Sequence, residues 1–336
     1  MGALAATPLR RPGSVRRTVT VDGDRPNGAF GDVVIEGRGR DLVTWPDGPA
    51  RIGATEQVHV RADFVSDQAV KEIDGRPGDA ELQALVGLPS RRGFRAATAA
   101  RLPHRAGDGS LLIAILDEVP IVTSLSRMAL RRRGAVSFRA DDANYLGNRG
   151  RASAAAWTGY RIECAGWAPG TRMSRRAASG EDPTLGDSLL SPPILRDDDE
   201  LAWHDLSPLP PDGFRRWRRA DMWRAGPDQS LIEVDGWWRD TYVAEDGTLR
   251  IVHEYSVRLT VDVPSLVVLA GAAEPRVLPA PECNRAAGSA GLLVGRPLDQ
   301  LGPRAREELA GFGTCTHLTD ELHSLGDLAS LVPLLP

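Results

Sequence analysis

The chain repeats parts of its own sequence at one fixed spacing, and this repetition restricts its possible folds more than any other feature. Residues 34–41 and 233–240 align so that Gly37 and Gly236 stand 236 − 37 = 199 residues apart. The same offset joins Arg16-Arg17 to Arg215-Arg216, Asp22 to Asp221, and Asp63 to Asp262. Self-similarity at a fixed spacing indicates repeated copies of one structural unit. The 336 residues are therefore predicted to form two related domains.

Each copy is predicted to begin with strands and to end with helices. Residues 57–64 alternate apolar and polar side chains, as half-buried strands do, and 231–242 and 250–263 are rich in β-branched and aromatic residues. Apolar spacing predicts helices at 79–86, 92–102, 283–294, 298–309 and 316–325. The predicted fold class is therefore α+β, with two related domains that each pack an antiparallel sheet against helices.

The composition of the chain suggests where the repeats begin and end. We place the first repeat at 1–130, an irregular linker or extension at 131–211, and the second repeat at 212–336. Residues 173–211 are weakly patterned and rich in proline, aspartate, arginine and serine, which predicts a linker or a long surface loop. Residues 160–167 are a candidate strand within the middle part.

Composition also limits the partners of the protein. Its formal net charge of −4 gives no reason to expect nucleic acid or a membrane surface as a partner. No stretch approaches the roughly 20 apolar residues that a membrane helix needs. Three cysteines, an odd number, argue against a disulfide framework and predict a cytoplasmic protein. Whether the chain binds a protein partner or a second copy of itself is left open.

The residues suited to thiol or metal chemistry are concentrated in the second repeat. Cys283 is predicted to open one helix, and Cys315 precedes another, with His317 two residues later. The helix dipole favours thiolate at such positions, and thiolate is the form that binds metal or attacks electrophiles. The first repeat has no cysteine, and Ser110 stands near the position that corresponds to Cys315. The alternative is that both cysteines are ordinary buried apolar residues.

Several short motifs around these residues resemble one bacterial family. They are Glu282-Cys283, Ala286-Ala287, Leu293-Val294-Gly295 and Gly313-Thr314-Cys315-Thr316-His317-Leu318-Thr319. Together they resemble the bacterial domain-of-unknown-function family 2889, although Asn284 stands where the pattern has proline. The resemblance covers about 215–325 and, more weakly, 16–116, so it implies a tandem duplication. The family has no known reaction, and the resemblance therefore implies no activity.

The second repeat is also distantly similar to iron–sulfur scaffold proteins of the NifU and SufE kind. In this likeness Cys283 and Cys315 match the second and third metal-binding cysteines of that group. The first one, on an early strand hairpin, has no counterpart here, so Asp240 or His253 is the candidate replacement. A site with one cysteine fewer fits a single zinc or iron ion better than a cluster. The predicted metal ligands are Cys283, Cys315, His317, Asp240 and His253.

Some of these residues also have a structural interpretation. His253 fits an ordinary strand position, and Asp240 recurs as Asp41 in the repeat without cysteine. His323 is predicted to lie on the surface. A basic stripe is the candidate site for a small anionic substrate, because arginine forks suit carboxylates and phosphates, or else it is a solvated strand face. The stripe consists of Arg215, Arg216, Arg218 and Arg219.

Two functions of different kinds follow from these residues. The first is a metal-dependent enzyme that acts on a small anionic substrate such as an acyl thioester. In a thiol version of this enzyme, Cys315 would be the nucleophile and His317 the base. Residues so close in sequence rarely reach attack geometry, so metal binding by the same side chains is favoured. The second function is a metal carrier or interaction protein without catalysis.

Overall fold

Eight antiparallel strands form one continuous sheet in the part of the chain that the computed structural model describes, residues 2–64, 68–105, 107–132, 134, 164–179, 181 and 188–336. The strands are β1 (Ser14–Asp24), β2 (Val33–Thr44), β3 (Ala50–Ala62), β4 (Val70–Arg76), β5 (Phe214–Ala225), β6 (Leu231–Val243), β7 (Leu249–Asp262) and β8 (Val268–Val277). Their order across the sheet is β4-β3-β2-β1-β5-β6-β7-β8. The first strand of each half, β1 and β5, therefore meets the other at the centre.

Seven α-helices stand in the described residues. They are α1 (Phe94–Arg101), α2 (Leu111–Leu116), α3 (Val119–Leu125), α4 (Met128–Arg132), α5 (Arg172–Ser179), α6 (Leu301–Glu308) and α7 (Thr316–Ser324). Short 3₁₀ helices cover Ala80–Leu85, Ala165–Trp167, Pro281–Leu293, Leu298–Gln300 and Leu325–Leu334. None of these helices has both the length and the apolar content needed to cross a membrane.

The glycines that stand 199 residues apart sit where a helix approaches the sheet closely. A Cβ atom at Gly37 would overlap the side chain of Ile115 in α2. At Gly236, a Cβ atom would lie 3.1 Å from Oε1 of Glu321 in α7. A larger residue at either position would push the helix away from the sheet. The repeated glycine therefore allows α2 and α7 to pack on the same face, one on each half.

This face carries two apolar cores. The first half (residues 14–132) packs α1 to α4 against β1 to β4, with Val60, Leu82 and Phe94 almost fully buried. The second half (residues 214–336) packs α6, α7 and the 3₁₀ segments against β5 to β8. Arginine, aspartate and glutamate side chains fill the space between the two cores, above β1 and β5.

The opposite face is covered by a segment that sequence patterning predicts as linker. Trp203 packs edge-on against Trp217 and Trp237, with ring centroids 5.3 and 6.0 Å apart. The His204 ring nitrogens lie 2.9 and 2.8 Å from the hydroxyl oxygens of Thr18 and Thr20 on β1. These contacts show that at least the 194–204 part of the segment packs on the sheet instead of passing freely over the surface.

Cross-strand ion pairs follow a symmetric pattern where β1 meets β5. Arg16 faces Asp221, and Asp22 faces Arg215, with Nε–Oδ1 distances of 2.6 Å in both pairs. Adjacent to them, Arg17 donates two hydrogen bonds to Asp41 on β2, at 2.7 and 2.8 Å. The offset of 199 residues relates Arg16 to Arg215 and Asp22 to Asp221, so the two ion pairs are equivalent under the repeat.

The structure confirms the α+β class and corrects several local predictions. The predicted strands at 231–242 and 250–263 are β6 and β7, and the predicted helix at 316–325 is α7. The region 283–294 is 3₁₀ instead of α-helical, since its glycines and Pro281 disfavour a regular α-helix. The two halves also share one sheet instead of forming two. Residues 160–163 of the predicted strand lie outside the described residues, and 165–167 form a 3₁₀ turn.

The buried pair Arg17–Asp41 generates a stability prediction. Asp41→Ala leaves the Arg17 guanidinium, 6% exposed, without its carboxylate, so we expect a loss of about 3–5 kcal/mol in the free energy of unfolding. Urea unfolding measures this loss. Glu72→Ala is the control, because Glu72 pairs with Arg61 in solvent at the sheet edge, and we expect little change. Equal losses in the two variants would contradict the assigned role of Arg17–Asp41.

Candidate functional site

Three potential metal ligands meet on the helix-covered face of the second half. Asp240 on β6, His253 on β7 and His317 in α7 place their ligand atoms within 4.8 Å of one another. Asp240 and His253 are register partners in adjacent strands, so their side chains project from the same face of the sheet. His317 comes from the first turn of α7, which packs on that face. Among the described residues, this is the one group of three potential metal ligands whose ligand atoms all lie within this distance of one another.

The two imidazoles stack on each other beside an indole ring. The ring centroids of His253 and His317 lie 3.9 Å apart with an interplanar angle of 25°. The Trp238 ring lies 6.0 Å from His253 and 5.9 Å from His317. Trp238 also stacks on Tyr255, with ring centroids 5.8 Å apart. The aromatic rings therefore pack against both histidines and shield His253 from water, whereas His317 is only half-buried.

Burial keeps both histidines neutral. It lowers the pKa of His253 well below its ordinary value, and the positive charge of Arg216 and that of His317, when His317 is protonated, lower it further. Burial also lowers the pKa of His317, although the carboxylate of Asp240 opposes this shift. The neutral imidazole is the form of histidine that coordinates a metal ion. The site therefore holds both rings in the ligating form.

One nitrogen of this cluster has no hydrogen-bond partner among the described residues. His253 is 6% exposed, and its Nδ1 atom makes no hydrogen bond to any described residue, since the nearest carboxylate oxygen, Oδ2 of Asp240, is 3.9 Å away. Buried polar atoms nearly always have a hydrogen-bond partner in folded proteins. A buried imidazole nitrogen that has no hydrogen-bond partner among the described residues and lies near a carboxylate and a second imidazole is a suitable metal ligand.

Arg216 orients the carboxylate of the cluster. Its Nε and Nη2 atoms donate to Oδ1 and Oδ2 of Asp240, both at 2.7 Å, and its Nη1 atom lies 3.0 Å from Glu118. Burial acts against the charge, yet Asp240 and Glu118 hold the pKa of Arg216 above its ordinary value. Each Asp240 oxygen keeps a further lone pair for a ligand. Such outer contacts commonly orient metal-binding carboxylates.

The first half provides an internal comparison for this arrangement. Arg17 and Asp41 repeat the fork geometry of Arg216 and Asp240. The strand partner of Asp41 is Ala54, however, whereas the partner of Asp240 is His253. The arginine–aspartate pair is thus a structural element of both halves, in line with the structural interpretation of Asp240. The imidazoles are added to this pair in the second half only, among the described residues.

The two predicted cysteine ligands lie next to the cluster. Cys315 precedes α7, and its sulfur lies 4.0 Å from Nδ1 of His317. Neither the Cys315 sulfur nor the Cys283 sulfur lies within 4.8 Å of all three ligand atoms of Asp240, His253 and His317. Burial raises the pKa of Cys283 to about 12 and that of Cys315 to about 11. Both thiols are therefore protonated at neutral pH unless a cation binds them.

The four arginines of the basic stripe are buried and paired with carboxylates of the protein. An anionic substrate would have to displace one of these carboxylates, and the stripe is not a solvated strand face. The pairs are Arg215 with Asp22, Arg216 with Asp240 and Glu118, Arg218 with Glu118 and Glu321, and Arg219 with Asp221 and Asp235.

One residue differs from its predicted position, and two site residues carried no prediction. His323 is not a fully exposed surface residue, because its side chain is only 18% exposed. Its Nδ1 atom lies 2.7 Å from the Gly302 carbonyl oxygen, and its Nε2 atom lies 2.7 Å from Oδ2 of Asp117 in the first half. Glu118 and Glu321 are almost fully buried partners of the stripe, and burial raises the pKa of Glu321 to about 7. Both glutamates follow an aspartate, at 117–118 and 320–321, a repeated dipeptide that could have identified them.

The lowered pKa of His253 generates a pH prediction. The unfolded chain binds a proton at this residue below its ordinary value of 6.5, whereas the folded chain does not. Stability is therefore present above this pH and is lost as the pH falls. His253→Phe keeps an aromatic ring but removes the group that binds the proton. Below pH 6.5, the free energy of unfolding of this variant should therefore fall less steeply with decreasing pH than that of the unsubstituted protein, by about 1.4 kcal/mol per pH unit.

Urea unfolding between pH 7 and pH 5 measures this difference in slope. Trp45→Phe is the control, because the indole of Trp45 is 43% exposed and carries no group that titrates in this range, so its slope should match that of the unsubstituted protein. An unchanged slope in His253→Phe would show that His253 titrates in the folded state as it does in the unfolded chain.

Comparison with known proteins identifies one family and no characterised relative. No curated protein and no solved structure matches the chain. Residues 214–330, which contain the whole cluster and both cysteines described above, match the model of a family described as "Protein of unknown function (DUF2889)".

Proposed function

We propose that the second half binds a divalent transition-metal ion through Asp240, His253 and His317, and that this ion carries the activity of the protein. The observation on which the proposal rests is the unpaired Nδ1 atom of buried His253, which lies beside a carboxylate and a second neutral imidazole. If these three side chains formed only a structural polar cluster, the buried nitrogen would be expected to have a hydrogen-bond partner.

The ligand set restricts the identity of the metal. Two imidazoles and one carboxylate form the protein ligands of catalytic zinc sites and of non-haem iron(II) sites, both of which keep open positions for water or substrate. Zinc or iron is therefore the proposed ion. His317 is only half-buried, so it marks the side from which solvent reaches the cluster.

The favoured activity is a metal-assisted reaction on a small substrate. At an open position, a zinc or iron ion polarises a carbonyl group or lowers the pKa of bound water. Protein carboxylates already neutralise the arginines of the stripe. An anionic substrate would therefore bind more readily to the metal ion than to these arginines. Acyl thioesters remain the first substrates to test, because their carbonyl group suits this chemistry.

A metal carrier without catalysis is the second candidate. Asp240 is 0% exposed and His253 is 6% exposed, so two of the three ligands are far from solvent. Deep burial favours retention of an ion over exchange of substrates around it. The likeness to iron–sulfur scaffold proteins belongs to this candidate, and it is supported by the order of strands followed by Cys283 and Cys315 near the starts of their helices.

Metal analysis of the purified protein tests the proposal. We expect His253→Ala and His317→Ala each to lower the zinc or iron content by one equivalent per chain, because each removes a ligand. His59→Ala is the matched control on β3 of the first half, where His59 pairs with Glu36, and it should keep the full metal content. Equal metal content in all variants would refute the proposed site.

The same preparations separate the two candidate functions. Thioesters and small organic acids are offered to the metal-loaded protein and to His253→Ala. Turnover that disappears with the metal supports the enzyme, whereas firmly bound metal without turnover supports the carrier.

We also infer that the two halves arose by tandem duplication. The offset of 199 that relates the sequences also relates the ion pairs Arg16–Asp221 and Arg215–Asp22. The pairing of β1 with β5 therefore has the form of the symmetric contact in a homodimer, where each subunit uses the same patch.

This inference predicts that residues 212–336, expressed alone, dimerise through β5. Two copies of β5 would place Arg215 opposite Asp221 of the second copy, which replaces both ion pairs of the intact sheet. Co-expression with residues 1–211 is the control, since β1 then restores the original pairing. Sedimentation analysis measures the assembly. A folded, monomeric fragment would contradict the duplication of this interface.

A further inference from the structure

All three cysteines of the chain converge in the second half, although one of them lies far outside the matched segment. The Ala165 N–H group donates a 2.8 Å hydrogen bond to the Thr314 carbonyl oxygen, so Cys164 and Cys315 lie on neighbouring stretches of backbone. The backbone of Gly166 lies against Cys283, because a Cβ atom there would come within 2.9 Å of the Cys283 sulfur. Cys164, Cys283 and Cys315 are 8%, 5% and 5% exposed.

Tyr255 stands among these thiols. Its hydroxyl group donates to the Cys283 carbonyl oxygen at 3.5 Å, and it opposes the rise that burial causes in the pKa of the Cys315 thiol. The nearby thiols, together with burial, raise the pKa of Tyr255, so the phenol stays protonated and acts as a donor. All three thiols therefore lie close enough to Tyr255 to influence its hydroxyl group.

Backbone N–H groups point at two of the sulfurs in the same pattern. Burial raises the pKa of Cys164, but hydrogen bonds from the N–H groups of Trp167 and Gly166 oppose this shift. At Cys315 the N–H groups of Leu318 and His317 act in the same way. In each case the donors are the second and third residues after the cysteine. Hydrogen bonds to sulfur tune metal-bound thiolates, and both cysteines stand at the N-terminus of a helical segment, where the following N–H groups are free to donate.

The segment that carries Cys164 is fixed to the second half by polar contacts. The Arg172 N–H group at the start of α5 donates to Oε1 of Glu282 at 2.7 Å, next to Cys283. Met173 packs against Cys283 in a small apolar cluster. These contacts position a third thiol that the segment matched to the family does not contain.

We propose that Cys164, Cys283 and Cys315 form a thiolate site for a soft metal ion of the zinc and cadmium class. On binding, each S–H group loses its proton to solvent and each sulfur donates an electron pair to the ion, without change of oxidation state. The sulfurs are not all within 4.8 Å of one another, so rotation of the cysteine side chains brings them into contact with the ion. The site uses no ligand of the Asp240–His253–His317 cluster, although the Cys315 sulfur lies 4.0 Å from Nδ1 of His317.

Titration of the full-length protein with cadmium(II) tests this proposal. Thiolate coordination produces an ultraviolet sulfur-to-cadmium charge-transfer band, which imidazole and carboxylate ligands do not produce. We expect the band to saturate at one equivalent per chain. Cys164→Ser should reduce its intensity by about a third and weaken cadmium binding by at least about 10-fold. Met173→Leu, which keeps the packing around Cys283, should bind as the unsubstituted protein does.

Two further readouts make the result independent of variant folding and of the proposed function. Cadmium should protect Cys164, Cys283 and Cys315 of the unsubstituted protein from alkylation, as read by mass spectrometry. His253→Ala should keep the full charge-transfer band. Absence of the band, its full intensity in Cys164→Ser, or alkylation of Cys164 in the cadmium-loaded protein would overturn the thiolate site and leave the histidine site untouched.

Discussion

The charges buried where β1 meets β5 determine how the rest of the structure is arranged. Arginine side chains in the centre of a sheet are tolerated only if a carboxylate accompanies each of them. Two of these carboxylates come from the opposite half, because Asp22 pairs with Arg215 and Glu118 pairs with Arg216. Neither half is electrostatically complete in this chain without the other. The continuous sheet is therefore a consequence of charge pairing as much as of backbone hydrogen bonding.

The same pairing provides the frame for the candidate metal site. Arg216 holds Asp240 in a two-point contact, and the strand register places His253 opposite this carboxylate. Gly236 lets α7 approach the sheet, which brings His317 over His253. The ligands thus stand on two strands and a helix instead of a loop, and rigid elements hold binding geometry best. In the first half the corresponding arginine–aspartate pair is present, but Ala54 stands in place of His253. The pair is therefore structural in both halves, and only the second half adds the metal-binding side chains to it.

Local features were predictable from the sequence, and long-range ones were not. Period-two alternation predicted strands such as β3. The repeated glycine served only to align the two halves, and the helix contact that it allows was not predicted. Alternation does not reveal which strands pair, so the joining of β1 to β5 could not be predicted. The polar arginines of β5 suggested a solvated face, because the carboxylates that bury them come from distant segments. The position of Cys164 beside Cys283 likewise depends on tertiary packing that leaves no local pattern.

Anomalous diffraction at the zinc absorption edge, from crystals of zinc-loaded protein, tests the central claim most directly. The claim is that folding creates a metal site from Asp240, His253 and His317. The account predicts an anomalous peak between these three side chains, about 2.0–2.2 Å from each ligand atom. A zinc-loaded crystal with no peak at this position, and with the His253 and His317 rings still stacked on each other, would contradict it.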